Sequence, residues 1–220
     1  DNLTVKNCNI VQHGDMGGIN AAIFLFSSTT SSIINNTITT VGSYSHGVYA
    51  DTSSTSLLLI NNTVSISGEN SLGFRVDTSD SPIVKKNNIT AAGSGGTGLF
   101  LSNTRPGLYE ENSIDVVGAS DGIRIFNRAN NNTFLNNNIT GTQPEIVDNT
   151  DTDNLSYLIY NNSFGEIRWI DNGTGSFLRN LNLYVDNTQG IGLGRNLYIG
   201  NNTIALNTSA FTTGLINSSA

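Results

Sequence analysis

Cysteine, cationic charge and long apolar runs are all scarce in this chain. It has 220 residues and one cysteine, Cys8, so no internal disulfide can form. The expectation for Cys8 is a buried, inert thiol in a corner of the chain. Charged residues make up 12%, with 10 Lys and Arg against 17 Asp and Glu, for a net charge of −7. No basic patch exists to neutralise phosphates, which excludes nucleic acid as a partner and disfavours an anionic membrane surface. No apolar run approaches about 20 residues, so no helical membrane span is expected. The sequence shows no signal peptide, but it begins in mid-repeat, and neither end reads as a polar cap.

What the chain has instead is a recurring phrase, Asn-Asn-Thr-Ile or a near copy. It reads Asn35-Asn36-Thr37-Ile38, Asn61-Asn62-Thr63-Val64, Lys86-Asn87-Asn88-Ile89, Glu111-Asn112-Ser113-Ile114, Asn136-Asn137-Asn138-Ile139, Asn161-Asn162-Ser163-Phe164 and Asn201-Asn202-Thr203-Ile204. Asn7-Cys8-Asn9-Ile10 is a weaker first copy. Between the final apolar residues the steps are 28, 26, 25, 25, 25, 25 and 40. So regular a period marks a repeat architecture. The residues two before the anchors are Cys8, Asn36, Asn62, Asn87, Asn112, Asn137, Asn162 and Asn202. Asn tolerates left-handed backbone, which suits a tight corner, and stacked Asn side chains can hydrogen-bond along a column.

A second phrase, Gly-apolar-any-apolar, lies between the corners. It reads Gly47-Val48-Tyr49-Ala50, Gly73-Phe74-Arg75-Val76, Gly98-Leu99-Phe100-Leu101 and Gly122-Ile123-Arg124-Ile125, with Ala22-Ile23-Phe24-Leu25 as a copy lacking the Gly. Alternation of period two predicts a strand with one buried face. A third strand precedes each corner, as in Leu57-Leu58-Leu59-Ile60. Three short strands cannot bury a face alone, but stacked coils can. The predicted fold is all-β, a single-stranded parallel β-helix solenoid of about eight rungs with an Asn ladder at one corner. Regular rungs are expected over 1–164. An irregular continuation with an inserted rung or rungs and a terminal strand is expected over 165–220. Lys85 and Lys86 precede Glu110 and Glu111 by 25 residues, so opposite charges should meet on neighbouring rungs.

These two phrases together resemble the right-handed parallel β-helix repeat proteins. That group includes pectate-lyase-like enzymes, NosD-like periplasmic proteins and archaeal and bacterial surface proteins. The resemblance covers about residues 1–165 and implies the hand of the helix and a fold class, but no single function. In the lyase-like members the corresponding outer face carries a polysaccharide cleft.

The outward column Phe24, Tyr49, Arg75, Phe100, Arg124 alternates aromatics and guanidiniums, and Asp51 and Asp77 follow in matching positions. The resemblance thus marks Tyr49, Arg75, Phe100, Arg124, Asp51 and Asp77 as a candidate glycan face. Arg could neutralise a uronate there, and paired Asp could hold calcium. The plainer reading is that Arg75 pairs with the two Asp residues. No full catalytic set is assembled, since a lyase needs converging carboxylates plus an unpaired base. His13 and His46 are expected as solvated bend residues, too few for a metal site. The acidic bend around Asp148, Asp151 and Asp153 has ligand types that suit calcium but lacks the Gly-rich nonapeptide pattern of calcium-binding β-rolls. No cofactor is implied. Trp169 is expected over the end of a core rather than as a sugar platform, and Gly190-Ile191-Gly192-Leu193-Gly194 is a chance match to a dinucleotide fingerprint.

Glycosylation sequons are dense. Loop positions Asn154 and Asn172 are the first expectation, followed by Asn2, Asn35, Asn61, Asn131, Asn161, Asn201 and Asn207. Asn88 and Asn138 are expected beside the core and so disfavoured, and Asn217 completes the set. Low charge, many sequons and open ends lead to an expected non-enzymatic extracellular structural protein. It would be a subunit of a surface layer, sheath or filament that self-associates through β-helix ends or sides. A glycan-binding adhesin module and a polysaccharide lyase or hydrolase are the alternatives.

Overall fold

The computed structural model describes, with their side chains, residues 2–14, 20–52, 55–118, 121–127, 129, 131–141 and 162. Later residues are described only as paired strands. Every strand pairs in parallel with its equivalent one coil away, and no helix occurs among the described residues. The first sheet runs through Thr4–Lys6, Ser32–Ile34, Leu58–Ile60, Ile83–Lys85, Leu108–Glu110 and Asn132–Leu135, then Ser156–Tyr160, Asn182–Asp186 and Thr203–Leu206. The second holds Asn9–His13, Thr37–Val41, Thr63–Ile66, Asn88–Ala91, Ser113–Val116 and Asn138–Gly141. The third begins with Asn20–Phe26, Ser45–Asp51, Leu72–Asp77, Thr97–Ser102 and Asp121–Phe126, and continues from Glu145–Asn149 to Asn217–Ser218.

All three sheets run together from Ile10 to Ile139, which makes about five complete turns rather than the eight rungs expected. After Gly141 the second sheet has no strand among the described residues. The 40-residue step is two coils. Tyr157 pairs with Leu183, and Leu183 with Ile204. This moves the last Asn-Asn-Thr-Ile copy out of register. Thr203–Leu206 joins the first sheet, whereas Thr37, Thr63 and Asn88 open strands of the second. Asn202 itself lies outside the described residues, but the strand after it does not follow the ladder's pattern.

Alternation drives the packing. Ile33, Leu59, Val84, Tyr109 and Phe134 point inward from the first sheet, and Ile38, Val64, Ile89, Ile114 and Ile139 from the second. Val48, Phe74, Leu99 and Ile123 close the tube from the third. Each such side chain contributes about 1.5–3 kcal/mol by leaving water. Tyr109 stacks on Phe134 with ring centres 5.0 Å apart.

The corner between the first and second sheets is the fold's polar spine. Asn87 Oδ1 accepts from the backbone N–H of Asn62 at 2.9 Å and from its Nδ2 at 3.0 Å. Asn62 Nδ2 also donates to Ile33 O at 2.8 Å. The same set repeats from Asn36 through Asn112 and Asn137 to Asn162. Left-handed backbone falls one residue earlier than expected, at Asn35, Asn61, Lys86, Glu111 and Asn136. The ladder position is therefore Asn for its amide, which is both donor and acceptor, and not for its φ. Cys8 takes this position in the first coil, where its N–H donates to Asn36 Oδ1 at 3.0 Å. Its thiol is exposed, not buried as expected.

The Gly of the second phrase also has a steric cause. A Cβ on Gly73 would stand 2.5 Å from Gly98 O and 2.6 Å from Ile89 Cγ2. The expected charge pairs form, with Lys85 Nζ 2.6 Å from Glu110 Oε2 and Lys86 Nζ 3.4 Å from Glu111 Oε2.

Candidate functional site

The outer face of the third sheet collects the side chains with most chemistry. Register places Phe24, Tyr49, Arg75, Phe100 and Arg124 in one column. Two residues on, Phe26 pairs with Asp51, Asp77 with Ser102, and Ser102 with Phe126. The six residues marked from the sequence thus share one face, though they do not share one environment.

Phe24 and Phe26 are 46% and 61% exposed, while Tyr49 is only 3% exposed. Tyr49 is covered from several sides. The Arg75 guanidinium lies 4.3 Å above its ring, Phe24 is 5.2 Å away, and His46 meets it edge-on at 5.9 Å. Arg75 also faces the Phe100 ring at 5.6 Å, and Phe100 neighbours Phe126 at 5.9 Å. An aromatic and guanidinium ridge therefore runs along several coils, held partly by cation–π attraction.

Each guanidinium already carries a carboxylate. Arg75 donates through Nε to Asp77 Oδ2 at 2.9 Å, and its Nη2 lies 2.8 Å from the same oxygen. Tyr49 OH donates to that oxygen at 3.1 Å. Arg124 donates through Nε to Asp121 Oδ2 at 2.6 Å, and its Nη2 is ion-paired with it. Burial raises the Asp77 pKa, opposed by Arg75. Burial, then the charge of Asp77, raises that of the Tyr49 hydroxyl.

His46 departs from expectation. It lies within the strand Ser45–Asp51, buried, and its Nδ1 accepts from Leu72 N–H at 3.1 Å. Desolvation, helped by nearby Arg75, lowers its pKa to about 4. His13, by contrast, is exposed at the end of Asn9–His13. Among the described residues no three His, Cys, Asp or Glu side chains converge to hold a metal ion.

Reading the alternation two residues further would have found Phe26 and Phe126. Asp121 was missed because it sits three residues before its Arg, outside the repeated phrase. His46 was missed because its strand starts earlier than the Gly of that phrase. Asn88 and Asn138, disfavoured as glycan sites for lying beside the core, point outward and are exposed, as are Asn2, Asn35, Asn61 and Asn131. Alternation puts Ile89 and Ile139 inside, so their neighbours face solvent. Asn154, Asn172, Asn161, Asn201 and Asn207 lie outside the described residues, as do Asp151, Asp153 and the side chain of Trp169. Asp148 falls within the strand Glu145–Asn149 rather than in a bend.

Stacked parallel coils around an apolar tube define a β-solenoid. The chain belongs to the right-handed beta helix region family, whose model matches residues 1–164. No curated protein and no solved structure matches the chain at a significant level.

Proposed function

We propose that this chain is a non-enzymatic structural module of an extracellular surface, assembled through the sides of its solenoid. The supporting observation is that both guanidiniums on the candidate face are already paired with carboxylates of the same chain. Arg75 is held by Asp77 and Arg124 by Asp121, while His46 is buried and neutral near pH 7. A general base needs a lone pair within reach of substrate. The His46 Nδ1 lone pair instead accepts a backbone N–H. Low charge and dense sequons fit an extracellular setting. Incubation with uronate polymers and calcium is expected to release no unsaturated product, and release would overturn the reading.

The exposed Phe24 and Phe26 support a second reading, a glycan-binding face. Paired guanidiniums favour neutral sugars stacked on aromatic rings over uronates. A glycan array would compare the protein with its Phe24→Ala/Phe26→Ala, Arg75→Ala and Arg124→Ala variants. Loss of binding in the double Phe variant is expected, and unchanged binding in all three would remove this face from consideration.

A further inference from the structure

The outer side of the first sheet is a largely apolar, partly buried strip, although an outward position would ordinarily be polar. Its first column reads Ser32, Leu58, Ile83, Leu108, Thr133, and its second Ile34, Ile60, Lys85, Glu110, Leu135. All these side chains are partly exposed. The second sheet's outer side is different, with Thr37, Thr63, Asn88, Ser113 and Asn138 in its equivalent column. A contiguous apolar strip left partly open to solvent is the kind of surface a partner covers.

The order of residues along the strip selects the partner. Beside the midpoint between the Lys85 and Glu110 rungs stand Ile83 and Leu108. One rung out on either side stand Ile60 and Leu135. A two-fold axis along the strands through that midpoint sets Lys85 against Glu110 of the partner subunit. It also sets Ile60 against the partner's Leu135, and Ile83 against the partner's Leu108. A two-fold axis along the solenoid would exchange the columns instead and press Lys85 on the partner's Ile83. That arrangement would desolvate the Lys85–Glu110 pair against apolar side chains and bring it no new opposite charge, which is unfavourable.

We infer that a second copy of this chain packs on the first sheet in antiparallel orientation, with paired Lys85 and Glu110 at the centre of the interface. The inference rests on the assembly reading above and names the surface it uses. Isologous contacts of this type close a dimer, and packed sheets stand about 10 Å apart.

Cross-linking tests the orientation. Ile60→Cys and Leu135→Cys proteins, each also carrying Cys8→Ser, are mixed and treated with a short bis-maleimide. The antiparallel pair gives the 60–135 product above either homodimer product. Dominant 60–60 and 135–135 products, or no cross-link at all, would overturn it. Sedimentation of the Leu58→Lys/Ile83→Lys variant should show association weakened by about tenfold or more. Lys85→Glu should also weaken it, and Lys85→Glu with Glu110→Lys should restore it. Unchanged association in these variants would equally overturn the inference. A monomer without lyase activity removes the pairing and leaves the non-enzymatic reading standing, whereas a cross-linked dimer with lyase activity does the reverse.

Discussion

The corner between the first and second sheets and the outer face of the third follow the same period of about 25 residues, yet they use it differently. At the corner the same side chain recurs from Asn36 to Asn162, and each amide satisfies groups on both neighbouring coils. On the third sheet's face the column changes at every coil, from Phe24 through Tyr49 and Arg75 to Arg124. A buried polar position must satisfy the same backbone groups each time, so its residue is fixed. A solvent-facing position carries no such demand and is open to other uses.

Substitution at the corner should have the largest effect. Asn87→Ala leaves Asn62 N–H, Leu59 O and Lys85 O without their side-chain partner. Chemical denaturation should show a loss of roughly 2–4 kcal/mol. Asn88→Ala, one residue away but exposed, should change stability by less than about 0.5 kcal/mol. Equal effects at the two positions would erase the contrast.

Acid should act next, through the other region. His46 has a folded pKa of about 4, below its ordinary 6.5. The unfolded chain therefore binds the extra proton first, and stability falls as pH drops from about 6.5 towards 4. The loss could reach roughly 3 kcal/mol at full depression of the pKa. Asp77 works the other way, because its raised pKa makes the folded state take up a proton more readily near the acid end. Thermal melts across this range should show the slope, and His46→Gln should flatten it.

Removing Arg75 should be milder. Arg75→Ala leaves the carboxylate of Asp77, only 8% exposed, with the Tyr49 hydroxyl as its remaining donor to Oδ2. The expected loss is about 1–2 kcal/mol, since the guanidinium is partly solvated. The smallest effect has the opposite sign. Lys86 has φ 58°, a conformation Asn adopts more easily. Lys86→Asn should therefore raise the denaturation midpoint by an equivalent of about 0.5 kcal/mol.

Sequence alone revealed whatever the stacking repeats. The Ile38, Val64, Ile89 column, the ladder and the Lys85–Glu110 pair could all be read from spacing. A periodic column implies equivalent positions only while the coil length holds. Beyond Gly141 it changes, and Asn201-Asn202-Thr203-Ile204 kept the phrase while its strand moved to another sheet. Another periodic column was legible and missed, the glycines Gly42, Gly68, Gly93 and Gly118 at a bend. A Cβ on Gly68 would stand 1.7 Å from Gly42 O. The candidate face was legible as a set of residues but not as an environment. Whether Arg75 lies over Tyr49 or reaches solvent depends on rotamers that spacing does not encode. The burial of His46 likewise depends on Tyr49 and Arg75 beside it.

Hydrogen exchange at the side-chain amides of Asn62, Asn87 and Asn112, followed by NMR, tests the stacked-coil account most directly. Each Nδ2 is buried and donates to an acceptor on another coil. Their protons should therefore exchange only through unfolding of the solenoid, orders of magnitude more slowly than those of exposed Asn88. Exchange as fast as at Asn88 would contradict a continuous ladder.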